Sequence, residues 1–219
     1  MVESAKLVVI DPGHGGRNAG CEGATGVHEK QVTLAISRRL AGHLQARGYS
    51  VVLTRHGDEY LTLRQRTRVA NQLDADLFIS VHANSSGRGS ARGFESHVLS
   101  VKGTEIDSPA LRRGEGTPRV GLSADVAEVL NAVEHGQSLA PAATLAVGVQ
   151  KHLARVRGHQ HDRGVRQDSH HVLLGATMPA VLVEVGFLDH PVEGAELTEA
   201  RVQDQIAESI ARAVAANLR

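Results

Sequence analysis

The sequence predicts one α/β domain, with helices packed around a mostly parallel central sheet. Three observations carry that prediction. Short apolar, β-favouring runs alternate along the chain with stretches whose apolar residues recur every four positions. One of the runs, Asp76–Val81, is almost wholly apolar, as a strand buried on both faces would be. The 219 residues show no internal repeat and no interdomain linker, and that length suits a single core.

Each element has its own signal. Leu7–Ile10 is a β-favouring run that ends in Asp11-Pro12-Gly13, a stop-and-turn signature. Gly13, Gly15, Gly16, Gly20, Gly23 and Gly26 make the next stretch a loop. From Glu29 the pattern turns helical. Val32, Ile36, Leu40 and Leu44 share one face, and Gly48 closes the helix. Val51–Leu53 reads as the second strand. Thr62 and Gln65 have capping-box spacing and open a second helix through Leu63, Arg66, Val69, Ala70 and Leu73. Asp76–Val81 is the third strand and Gly93–Leu99 the fourth. Ser100–Gly121 is polar and rich in Gly, Pro and Arg, and is read as a surface excursion reaching about residue 123. Ser123–Val133 has the pattern of a short helix, and Ser138–Val156 that of a longer one. Arg157–His171 is polar and His-rich and is read as a loop. Ala180–Val185, opened by Pro179 where a missing N–H does least harm, is the last strand. Val202, Ile206, Ile210, Val214 and Leu218 give the final helix, about Thr198–Leu218, a clear apolar stripe.

Composition excludes several classes of function. Formal net charge is zero, from 24 basic and 24 acidic side chains, with no like-charge block. That argues against a counterion-driven grip on nucleic acid. Aromatic residues are 2% of the chain, which argues against a base- or sugar-stacking platform. Cys21 is the sole cysteine, so no intramolecular disulfide forms. No apolar run approaches the length of a membrane span. The first residues lack the architecture of a signal peptide, so export by that route would need a segment already removed.

The residues that could carry chemistry stand at corresponding places. His14 follows the first strand, His82 ends the third, and Glu184 lies near the end of the last. Ligands collect at the carboxyl ends of strands in open α/β sheets. Glu29 begins the first helix, after a loop long enough to return it beside His14. Two imidazoles and a carboxylate suit zinc and leave a position for water. Glu184 interrupts the apolar run Val181–Val185, where an unpaired charge is costly. A carboxylate there fits general acid–base work. Each residue also has a plainer explanation. His14 could bond turn backbone, Glu29 could favour the helix dipole, and His82 could be a satisfied strand-end histidine. Glu184 has the weakest alternative.

Several segments carry a resemblance that bears on this choice. They are Val9–Gly16 (with Asp-Pro-Gly-His-Gly-Gly), Glu29-Lys30, Leu53–Arg55, Leu63 with Arg66, Ala70-Asn71, Ala75–Asn84 (with Ser-Val-His-Ala-Asn) and Pro179–Leu188 (with Val-Glu-Val-Gly-Phe). In order and spacing these resemble the zinc-dependent N-acetylmuramoyl-L-alanine amidases of the Amidase_3 (AmiC-type) family, over nearly the whole chain. The resemblance implies a twisted six-stranded sheet with helices on both faces, and residues 1–219 as one catalytic domain. It implies zinc ligands at His14, Glu29 and His82, with Glu184 as catalytic carboxylate. It also implies hydrolysis of the amide between the N-acetylmuramic acid lactyl group and L-alanine of peptidoglycan. Location would then be periplasmic, cell-wall or extracellular, and the protein is expected to act as a monomer. Arg55, Arg66, Asn71 and Asn84 match recurring family positions and are read as ordering the ligand loops. Glu95 is read as bordering the zinc or the substrate groove. Two alternatives stay open: a peptidoglycan-binding module without turnover, and a metallo-amidase of another peptide or amide.

The chain departs from the pattern in three places. After His14 it reads Arg17-Asn18-Ala19-Gly20-Cys21-Glu22 instead of the usual Asp- and Gly-containing pattern, and Cys21 is expected to be an inert thiol. His159 and His161 are expected to be solvated. His170 or His171, a few residues before the last strand, is expected to reach the site and help hold substrate or stabilise the oxyanion. The modest length of Ser100–Leu139 predicts an open site with no occluding helix.

Overall fold

The computed structural model describes residues 5–99, 124–168 and 172–218; of residues 124–138 and Asp168 the backbone alone is described. The elements in chain order are β1 (Leu7–Pro12), α1 (Glu29–Gln45), β2 (Ser50–Leu53), α2 (Leu63–Gln72), β3 (Leu77–Asn84), β4 (Phe94–Leu99), α3 (Ala124–Arg157), a 3-10 turn (His159–His161), β5 (Asp162–Asp168), β6 (Ala180–Phe187), α4 (Pro191–Thr198) and α5 (Ala200–Asn217). The strands form one six-stranded sheet in the order β2-β1-β3-β6-β4-β5. Every neighbouring pair is parallel except β4 with β6.

Strand alternation sorts the apolar residues onto two faces. Val8, Ile10, Ile79, Val81, Val181 and Val183 share one apolar layer with Val32, Ile36 and Leu40 of α1, Leu145 and Val149 of α3, and Ile206 and Ile210 of α5. On the opposite face Val9, Phe78 and Leu182 pack with Ala70 of α2 and with Leu173, Ala176 and Met178 of the segment before β6. Helices therefore cover both faces. Both layers are aliphatic apart from Phe78 and Phe94, as the scarcity of aromatic residues requires.

Local signals explain most boundaries. Thr62 Oγ1 accepts from Gln65 N while Thr62 N donates to Gln65 Oε1 at 2.8 Å, closing the capping box that opens α2. Gly48, at φ +87°, turns the chain out of α1 into β2. Before α4, His190 Nδ1 accepts from Val192 N and Glu193 N, and Pro191 takes the first helical position.

Two expectations need correction. Residues 162–168 are not loop but the edge strand β5, hydrogen-bonded among the described residues to β4 alone. Its sequence is polar because one side of an edge strand meets solvent. The expected final helix is α5, and Glu199, in extended backbone (φ −76°, ψ 128°), separates it from α4, which has no counterpart in the sequence reading. The short helix read at Ser123–Val133 is not separate, since α3 runs unbroken from Ala124 through Pro141 to Arg157. The surface excursion at residues 100–123 and the pair His170-His171 lie outside the described residues, and with them much of the stretch behind the open-site expectation. Among the described residues no helix is long and apolar enough to cross a membrane.

Candidate metal centre

The carboxyl ends of β1, β3 and β6 lie side by side at the middle of the sheet. β1 stops at Pro12, and Gly13 N donates to Val81 O at 2.9 Å, which fastens the start of the following loop against β3. Gly13 has no alternative. A Cβ built there would lie 2.6 Å from His82 Nε2, inside the imidazole's own contact shell. His14 follows in left-handed backbone, φ +61°, which turns its ring toward His82. The two ring centroids are 4.9 Å apart and meet edge-on at 76°.

Glu29 joins the two histidines. Its Oε2 lies 3.0 Å from His14 Nε2 and its Oε1 lies 3.0 Å from His82 Nδ1. Cys21 N and Ala83 N each donate to the same carboxylate at 3.1 Å. Burial pushes the Glu29 carboxyl up, but the hydrogen bonds to His14 and His82 outweigh it and hold Glu29 well below the usual carboxylate range. Burial pulls His82 down, and the Glu29 hydrogen bond with the charges of Glu184 and Glu29 carries it above the ordinary imidazole value. The loop between them also needs Gly20. At φ +71°, its Cβ would stand 2.5 Å from Glu29 Oε2.

Around this centre the backbone is held by buried charge. Arg55 donates from Nε to Pro12 O at 3.0 Å and from Nη2 to Gly13 O at 2.8 Å and Lys30 O at 2.9 Å. Arg66 donates to Pro12 O and His14 O, both at 2.8 Å, and pairs with Asp11 Oδ1 at 2.8 Å. Asp11 is fully buried and also accepts from Thr54 Oγ1 at 2.5 Å and Ser80 Oγ at 2.8 Å. Carbonyls 12–14 thus point at two guanidinium groups, and the turn that aims His14 is fixed from behind. Asn71 lies elsewhere, bonded to Gly175 O and Thr177 N.

Glu184 stands beside His82 in register across β3 and β6, and Glu95 stands opposite Glu184 across β6 and β4. Glu184 Oε2 is buried and has no hydrogen-bond partner among the described residues. Burial raises its pKa to about 7, against the lowering effect of His82 and with a smaller upward push from Glu29. Glu95 is the reverse case. It accepts from Asn84 Nδ2 at 2.9 Å, Arg163 Nε at 3.0 Å and Arg166 Nε at 2.9 Å, and has His97 Nε2 at 3.5 Å. The His97 contact, against the upward pull of burial, and the two arginines hold its pKa at about 2.

The donor set fits a borderline divalent cation. One ligand atom each from His14, Glu29 and His82 lie within 4.8 Å of one another. Ligands about 2.1 Å from a tetrahedral zinc lie roughly 3.4 Å apart, a spacing that falls within that limit. Cys21 does not join this group. Its Sγ faces Ala83 O at 3.6 Å, and burial, then the Glu29 charge, raise its pKa to about 12, so the thiol stays protonated.

Two residues important to this geometry are not singled out in the sequence reading. Asn18 Oδ1 lies 2.9 Å from His14 Nδ1 and accepts from Gly20 N at 3.2 Å. The Gly20 contact orients the amide, so Nδ1 of His14 carries the proton that meets Oδ1 and Nε2 turns to the centre. Thr33 Oγ1 donates to Gly13 O at 2.9 Å. An amide two residues past a Gly-Gly turn is the hint that Asn18 offers. Thr33 offers none, being one more polar residue in the first turns of a helix.

A family model described as N-acetylmuramoyl-L-alanine amidase matches residues 8–216. N-acetylmuramoyl-L-alanine amidase AmiC of Neisseria meningitidis serogroup B is 32% identical over 216 residues, covering 95% of this chain and 51% of the relative. AmiA of Escherichia coli is 31% identical over 217 residues, covering 95% of this chain and 75% of the relative. The crystal structure of an N-acetylmuramoyl-L-alanine amidase from Clostridium difficile superposes with a TM-score of 0.75 at 30% identity, covering 99% of this chain and 98% of that one. The chain spans about half the length of the Neisseria relative. With motif order, sheet topology and the clustered His14, Glu29 and His82 in agreement, the chain belongs to the Amidase_3 family of N-acetylmuramoyl-L-alanine amidases.

Proposed function

We propose that this chain hydrolyses the amide between the lactyl group of N-acetylmuramic acid and L-alanine in peptidoglycan. His14, Glu29 and His82 would hold a zinc ion, and Glu184 would act as general base and acid. One observation carries the reading: three metal-type donors converge beside a buried, unpartnered carboxylate in register with one of them. When bound, zinc supplies Lewis-acid polarisation of a carbonyl and lowers the pKa of water to about 7.

The chain's own residues do the rest. Glu29, held as an anion by the two imidazoles, brings negative charge to the cation site. Asn18, Arg55 and Arg66 keep His14 aimed through its Nδ1 and through the backbone on either side of it. Glu184 takes a proton at Oε2 from the attacking water and delivers it to the leaving alanine nitrogen.

Residues 1–219 would then be one catalytic domain acting as a monomer on wall material, in the periplasm, the cell wall or outside the cell. Mass spectrometry of muropeptides after incubation tests this. Release of a free L-alanine amino terminus from the lactyl group is the expected result. Binding to wall without product, or cleavage elsewhere in the peptide, overturns it.

A further inference from the structure

The polar row at the carboxyl end of the sheet does not stop at Glu184. His82, Glu184 and Glu95 are register neighbours on β3, β6 and β4, so their side chains leave the same face. β5 extends the row with Arg163 and Arg166, whose Nε groups both donate to Glu95 Oε2. Arg163 also lies over the Phe187 ring, 4.9 Å from its centroid, and sends Nη1 toward Arg92 O at 3.5 Å. Two guanidinium groups therefore meet one carboxylate, and both keep contact with solvent, at 36% and 49% side-chain exposure. Glu95 fixes each arginine from its Nε side. Arg166 meets Glu95 through Nε and its side chain is 49% exposed, so part of its guanidinium faces solvent.

We propose that Arg163 and Arg166 form a subsite for a free carboxylate on the substrate's stem peptide, on the residue that follows the L-alanine. This rests on the amidase reading above. Neighbouring strands are about 4.8 Å apart, so β5 lies roughly 10 Å from β6, and both arginines reach back over β4 to Glu95. A peptide advances about 3.5 Å per residue, so a carboxylate two residues from the scissile nitrogen sits about 7 Å away. That falls between Glu184 and the backbone of β5. A planar guanidinium edge matches a carboxylate with two parallel hydrogen bonds.

The test compares N-acetylmuramoyl-L-alanyl-D-isoglutamate with its isoglutamine counterpart, in which that carboxylate is an amide. The wild-type zinc-loaded protein is expected to show a KM about tenfold lower for the acid, with similar kcat. Arg166→Gln is expected to raise KM for the acid by about tenfold and to abolish the preference for acid over amide, and Arg166→Lys to restore part of that preference. Binding of both compounds to Glu184→Gln, measured by calorimetry, should show the same preference without turnover. Equal KM and affinity for acid and amide in the wild type overturn the subsite, even if Arg166→Gln fails to fold. Cleavage without that preference sinks the subsite alone; cleavage of neither compound sinks the amidase reading and the subsite with it.

Discussion

Glu29 and Glu184 are carboxylates on either side of His82, and the chain treats them in opposite ways. Glu29 comes from the first turn of a helix and meets two imidazoles and two backbone N–H groups. Glu184 comes from the middle of an apolar strand, and its Oε2 meets no partner among the described residues. The first is an anion held in place; the second sits near the midpoint of its titration. The difference comes from hydrogen-bond supply more than from depth, since burial pushes both upward. One site needs a fixed charge, and the other needs a proton that can come and go.

The comparison breaks if the two roles can be exchanged. His14→Ala or Glu29→Gln should lose both stoichiometric zinc and hydrolysis, read by metal analysis and muropeptide release. Glu184→Gln should keep zinc and lose about 10²–10⁴-fold in kcat. Metal loss in Glu184→Gln, or full activity with metal retained, would show that the assignment is inverted.

Arg66→Ala sharpens the picture of the backbone behind the site. It strands the fully buried Asp11 carboxylate, so a loss of about 3–5 kcal/mol in urea unfolding is expected. Less than 1 kcal/mol would mean that Thr54 and Ser80 suffice for Asp11. The titration of Glu184 should be visible in stability as well. Its folded pKa of about 7 lies above the ordinary 4.5, so the folded, metal-free chain binds a proton that the unfolded chain has released. The contribution of Glu184 should therefore fall as pH rises from about 4.5 to 7, and the raised pKa of His82 adds a further loss above pH 6.5. Thermal unfolding of the metal-free protein at pH 5 and pH 8 measures this, and Glu184→Gln should make the fall shallower. Smallest of all, Cys21→Ala should leave zinc affinity and kcat within about twofold, because the thiol faces backbone carbonyls rather than the cluster.

What the sequence shows of this molecule depends on how each residue is satisfied. Strands β1, β3 and β6 are legible because they are covered on both faces and read as unbroken apolar runs. The stripes of α1 and α5 are legible because each helix buries one face. β5 is not, since Asp162-Arg163-Gly164-Val165-Arg166-Gln167-Asp168 stands at the edge and is held by backbone pairing with β4 and by ion pairs. α4 is missed because it is short and is opened by a histidine instead of Ser, Thr, Asp or Asn. Within the site, strand-end histidines and a charge in an apolar strand stand out on the page. Asn18 does not, because its contact with His14 exists only once the glycine loop has closed.

The position of β5 has a second consequence. Among the described residues nothing pairs with its outer side, and such a row of backbone donors and acceptors can recruit a strand from another chain. Arg163 and Arg166, with Gly164 in left-handed backbone between them, break the flat, uncharged profile that such recruitment requires. An apolar replacement at these positions would therefore invite self-association, and solubility of the folded protein would suffer before its fold did.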